Sequence, residues 1–145
     1  MKKKKDSIVD INTIVDLAKE ENWQKVDDLL SQHAGQQELF DWARGSLSDP
    51  DSNLRDLAAS ILEQANLPLE DGAIEGLFGL MGEVDENNPY PSFRAACALA
   101  KRHEDGRVLG KIAEVESKLQ CFVEDEEVTE IAKRYLEKIG QSKNS

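Results

Sequence analysis

The chain has 145 residues, of which 39% are hydrophobic and 32% charged, and its formal net charge is −11. That length accommodates one domain with a real core, and no apolar run reaches the roughly 18 residues that a membrane span needs. The acidity disfavours direct nucleic-acid binding, because phosphate contacts need clustered Lys and Arg.

Lys2 to Lys5 open the chain with four positive charges, which leaves about −15 on the remainder. A signal peptide would place an apolar core next, but three Asp residues fall between Asp6 and Asp16. Residues 1–7 therefore read as a disordered basic tail, and the protein as cytoplasmic. Ile8, Ile11, Val15 and Ala18 share one face of a first helix that ends near Glu20-Glu21-Asn22. Trp23, Val26, Leu29, Leu30 and His33 fit a second helix, closed by Gly35. The pair over 8–35 reads as a cap, since a terminal unit must present one face to water.

A pattern then repeats three times. Over 36–66, the spacing of Leu39, Trp42, Ala43 and Leu47 predicts an amphipathic helix. The turn Asp49-Pro50-Asp51 follows, and then a helix carrying Leu54-Arg55, Ala58-Ala59 and Ile61-Leu62. Asp49 suits the capping position, where a carboxylate accepts from a first-turn N–H, and Pro50 has no N–H to leave unpaired. This unit stops at Asn66-Leu67-Pro68.

The second unit, 70–104, has Ile74, Leu77, Phe78 and Met81 on one face, a long turn from Glu83 to Pro91, and a helix with Phe93-Arg94, Cys97-Ala98 and Ala100. Gly76, Gly79 and Gly82 each cost roughly 1 kcal/mol against Ala in a helix interior, which implies close helix packing or a soft helix. The third unit, 106–140, predicts one continuous helix from Val108 through Ile112, Val115 and Leu119 to Phe122. A second helix follows, opening at Asp125 and carrying Val128, Ala132 and Tyr135-Leu136 to Gly140. Residues 141–145 read as a frayed tail. The anchors Leu54, Phe93 and Val128 lie 39 and 35 residues apart, a period that points to stacked helical hairpins.

Asp49-Pro50, Leu54-Arg55, Ala58 and Leu62 resemble the second helix of a HEAT-type repeat. Phe93-Arg94 and Cys97 match it again, with Asn88-Pro89-Tyr90-Pro91 in place of the Asp-Pro turn. The third copy keeps Asp125, Val128, Ala132 and Leu136 but has Thr129 where Arg is expected. The resemblance covers about 36–140. It implies an all-α fold, a short right-handed α-solenoid of about four stacked antiparallel helix pairs, forming a single domain over 8–140. For function it implies a binding surface.

Few constellations could carry chemistry. Asp49, Asp51 and Asn53 match the first half of a calcium loop. Its sixth and twelfth positions would be Leu54 and Ser60, where Gly and Glu are needed, so that reading fails. His33 and His103 have no metal-ligand or nucleophile context, and Cys97 and Cys121 fit helix core in a reducing compartment. No metal and no cofactor is expected.

Acidic groups gather instead at helix ends and turns. The loop Glu83, Asp85, Glu86, Asn87, Asn88 and Tyr90 is a candidate partner-binding segment, with Tyr90 stiffened between two prolines. Glu124, Asp125, Glu126 and Glu127 form a second candidate. In stacked hairpins such turns line up along one edge. An acidic edge favours a basic protein partner.

The expected function is thus a non-enzymatic binding module, expected as a monomer. Its size, acidity and compartment are similar to those of small bacterial immunity or antitoxin proteins that occlude a basic toxin. An adaptor that holds a peptide or helix in an apolar groove is the alternative. A bilin-lyase-like or other enzyme is a third reading, with no recognisable chromophore site.

Overall fold

A computed structural model describes residues 8–85 and 87–143. The basic tail expected at 1–7, Glu86 and the last two residues of the C-terminal tail lie outside the described residues. Those described form nine helices and no strand. In chain order these are α1 Ile11–Lys19, α2 Trp23–His33, α3 Gln37–Gly45, α4 Ser52–Gln64, α5 Asp71–Met81, α6 Tyr90–Lys101, α7 Gly106–Leu109, α8 Ile112–Gln120 and α9 Thr129–Lys143. None of them is long and apolar enough to cross a membrane. The chain divides after Pro68 into two compact units, one holding α1 to α4 and the other α5 to α9.

In the first unit α4 is the central helix. Leu54 and every residue from Asp56 to Leu62 are buried, and α1, α2 and α3 all pack on it. Ala58 and Ala59 keep its surface narrow enough for those neighbours to approach. Its start differs from the expected one. The capping residue is Asp51, whose Oδ1 accepts from the Asn53 N–H at 2.9 Å. Asp49 sits one turn earlier and accepts from the Asp51 N–H at 2.8 Å. Two successive side-chain turns therefore precede the helix, and Pro50 lies outside it. Arg55 Nη1 donates to the carbonyls of Asp49 and Pro50, fastening the turn to its own helix.

The core contribution of α1 is Ile14 and Ala18, with Ile8 outside the helix and 67% exposed. The expected face was displaced because Ile8 lies before the Asp10 cap. After α1, Glu21 takes φ 62°, and Glu21 and Asn22 donate to the carbonyls of Ala18 and Leu17. This left-handed closure satisfies two terminal carbonyls but uses a residue with a Cβ, where glycine is the low-strain choice. Gln36, before α3, forms a reciprocal pair with the backbone of Val9, both bonds 3.0 Å. Trp23 and Trp42, expected in the core, are only half-buried.

In the second unit α6 is central. Residues Pro91 to Phe93 and Ala95 to Ala100 are buried, and α5, α8 and α9 pack on it. A helix apolar on all sides must be surrounded, and small residues on α6 permit three neighbours. Helix α9 contributes Ala132, Tyr135 and Ile139, with Val128 just before its start. It runs through Gly140, the expected end, to Lys143.

The long helix expected over 108–122 is two helices. Gly110 closes α7, and Lys111 precedes α8 in a non-helical conformation. Apolar spacing alone could not register that break, because Val108 and Ile112 keep helical spacing across it. Gly79 has no atom within 4 Å of where a Cβ would stand, so close packing does not explain this glycine. Cys97 is buried, but Cys121 caps the end of α8 and is exposed, contrary to the expected core position.

Candidate functional site

Both acidic candidate segments belong to the second unit. The first follows α5. Gly82 closes that helix, and the chain then runs exposed through Glu83 and Val84. Asp85 turns it: its Oδ1 accepts from the N–H groups of Asn87 at 3.0 Å and Asn88 at 3.3 Å. Asn88 repeats the device, accepting from the Tyr90 N–H at 3.2 Å. Pro89 occupies the cap position of α6, and Pro91 stands in its first turn, where a missing N–H costs nothing. The buried Ser92 hydroxyl donates to the Met81 carbonyl at 2.6 Å, fixing the end of α5 against the start of α6.

Tyr90 is therefore the first residue of a helix rather than a free loop side chain. It is half-buried, and its ring lies 6.2 Å from that of Phe122, which is itself 4.7 Å from Phe93.

The second segment joins α8 to α9. Thr129 donates to the Val123 carbonyl, drawing the start of α9 back over the turn. Asp125 Oδ1 accepts from the Glu127 N–H at 3.0 Å. Its other oxygen accepts from the Tyr90 hydroxyl at 2.9 Å. That bond crosses 35 positions of sequence and joins the two segments into one edge. Burial, then the hydrogen bond to Asp125, and then the charges of Asp125 and Glu127 push the Tyr90 phenol up to about 12.

Along this edge Glu83, Asn87, Glu124, Glu126 and Glu127 are exposed, while Asp85, Asn88 and Asp125 are half-buried. The residues the sequence proposed are thus of two kinds. Asp85, Asn88, Tyr90 and Asp125 shape the edge by local bonds. Glu124, Glu126 and Glu127 project from it. Val84, which the sequence reading passed over, is 87% exposed between Glu83 and Asp85.

A second feature of this unit was not foreseen. A groove of about 350 Å³ is lined by Asp71, Ile74, Glu75 and Phe78 of α5 and by Arg107 and Lys111. Arg107 is heavily engaged. Its Nε and Nη2 bind the Asp105 carboxylate at 3.0 and 2.7 Å, Nη1 binds Asp71 at 2.8 Å, and Nη2 also reaches the Leu69 carbonyl at 2.8 Å. These bonds hold the Asp105 carboxyl down at about 2 and raise the Arg107 guanidinium above its ordinary value. The Lys111 ammonium sits 5.0 Å from the centre of the Phe78 ring. A sequence signal existed in the acid and apolar residues alternating on α5, but their basic counterparts lie more than 30 positions away.

Among the described residues no group of three or more His, Cys, Asp and Glu is arranged to hold a metal ion. His33 is buried on the apolar face of α2, and His103 follows α6. Comparison with protein-family models, with curated proteins and with solved structures finds no match for this chain.

Proposed function

We propose that this protein is a non-enzymatic binding module of HEAT-like solenoid type whose acidic edge docks a basic protein, as an immunity- or antitoxin-like inhibitor would. The helix pairs α3–α4 and α5–α6, each packed internally, support the repeat reading. The observation that carries the docking reading is the Tyr90–Asp125 bond. It places two acidic turns side by side on one unit, with Glu124, Glu126 and Glu127 directed to solvent. Clustered like charges with ordered backbones raise encounter rates with a basic surface, and the attraction weakens as salt is added. A partner covered by this edge would lose access to its own anion-binding surface.

The test is affinity capture with the tagged full chain and with a Glu124→Lys/Glu126→Lys/Glu127→Lys variant, at low and moderate salt, read by quantitative mass spectrometry. The docking reading expects a basic protein held by the wild type at low salt and depleted about tenfold or more with the variant. Equal capture by both baits would refute it.

A further inference from the structure

We propose that the groove between α5 and α7 is a binding site for a free apolar α-amino acid, independent of the acidic edge. Asp71, Ile74, Glu75 and Phe78 fall at i, i+3, i+4 and i+7, so α5 presents them as one stripe. Arg107 and Lys111 face that stripe across the groove. Arg107 and Asp71 are paired with each other, and Arg107 with Asp105 as well, so the charges of this cluster are already matched.

Glu75 and Lys111 differ from that pair. Among the described residues neither side chain has a hydrogen bond or an ion pair, and the Phe78 ring steadies the Lys111 ammonium without neutralising it. The groove thus offers one open acid and one open base, and the half-buried Phe78, backed by the buried Ile74, supplies an apolar surface between them.

The charges select the ligand. A simple anion would meet Lys111 but also the field of Glu75, Asp71 and Asp105, three acids against two bases. A simple cation would leave Lys111 unused and be repelled by it. A wholly apolar ligand would use neither charge. An ammonium and a carboxylate on one carbon, with an apolar side chain, use all three features. Glu75 takes the ammonium, Lys111 the carboxylate, and Phe78 the side chain. An internal peptide residue carries neither charge on its backbone, and a volume of about 350 Å³ suits one side chain with its head group.

The experiment is an NMR titration of the full chain with L-leucine and L-phenylalanine. N-acetyl-L-leucine, which keeps only the carboxylate, and L-leucinamide, which keeps only the ammonium, serve as controls. Saturable shifts are expected at Ile74, Phe78 and Lys111, with Kd on the order of 1 mM for so small a ligand in an open groove. Each single-charge analogue should bind about threefold or more weakly, as should Lys111→Gln and Glu75→Gln in the presence of the amino acid. Both positions are exposed, so the variants should keep the wild-type Tm. Four results would each overturn the assignment: no saturable shift, shifts outside the groove, equal binding of the single-charge analogues, or binding indifferent to both variants.

Discussion

Tyr90→Phe removes one hydroxyl and leaves the ring against Phe122. The lost bond is 2.9 Å and ends on a carboxylate. Hydrogen bonds to charged groups contribute about 1.5–3 kcal/mol, and partial exposure of both residues lets water replace part of that. A loss of about 1–1.5 kcal/mol is expected. With an unfolding entropy of about 2.1 cal/mol/K per residue, the whole chain shifts by roughly 3 °C for each kcal/mol, so Tm should fall by about 3–5 °C. If the second unit unfolds alone the shift is larger, since fewer residues share the entropy.

A double-mutant cycle with Asp125→Ala isolates the pair. Asp125→Ala also removes the bond to the Glu127 N–H, so it should cost more than Tyr90→Phe. The two together should cost less than their sum by about 0.5–1 kcal/mol, measured by urea unfolding. Additivity within about 0.3 kcal/mol would show that the hydroxyl and carboxylate do not interact, and would remove the reason for treating the two acidic turns as one edge.

The same bond has a pH signature. The phenol is raised from 10.0 to about 12, so between those values the folded chain holds a proton that the unfolded chain has released. Stability from this group is therefore complete below pH 10 and declines as pH rises toward 12. The wild type should lose more stability over that window than Tyr90→Phe. The phenolate absorbance change that belongs to Tyr90, expected near pH 12 in the folded chain, should be missing in the variant.

Three further outcomes are expected. Gly79→Ala should stabilise the chain by about 0.5–1 kcal/mol in urea unfolding, because the site is helical, exposed and open around the new Cβ. Glu21→Gly should also stabilise it, by up to about 1 kcal/mol, as relief of the left-handed backbone outweighs the extra entropy of glycine. Cys121 should react with a thiol reagent in the native chain, while Cys97 reacts only on unfolding. Two equally slow thiols would mean that the end of α8 is covered.

The helices were legible in the sequence wherever one face stays apolar over several turns. Val26, Leu30 and His33 on α2 and Ile74, Leu77 and Met81 on α5 are buried as their spacing predicts. Errors came where spacing and backbone disagree. Val108 and Ile112 keep a helical interval although Gly110 ends one helix between them. Ile8 and Cys121 fit the periodicity but lie beyond helix ends, where periodicity no longer dictates direction. The central helices α4 and α6 gave the strongest signal because their small residues serve packing on several sides at once. The joining of the two acidic turns was not legible, since a bond between positions 35 apart leaves no local pattern.

Six aspartates share one local role. Asp10, Asp49, Asp51, Asp85, Asp105 and Asp125 each accept from the N–H two positions on. One methylene makes that ring close without strain, which is why aspartate is favoured at turns and helix starts. Glutamate has a methylene too many for the same ring. At the proposed docking edge the distinction matters: Asp85 and Asp125 hold the backbone, and their carboxylates are already engaged by donors. The side chains of Glu124, Glu126 and Glu127 have no hydrogen bond or ion pair among the described residues and keep their charge available to a partner. The turn aspartates keep their charge and add to the field of the edge, but their carboxylates are held by the backbone and are not free to move onto a partner's cation. A reversal confined to the glutamates changes the field and leaves the turns intact, whereas one that includes Asp125 confounds lost attraction with a lost turn.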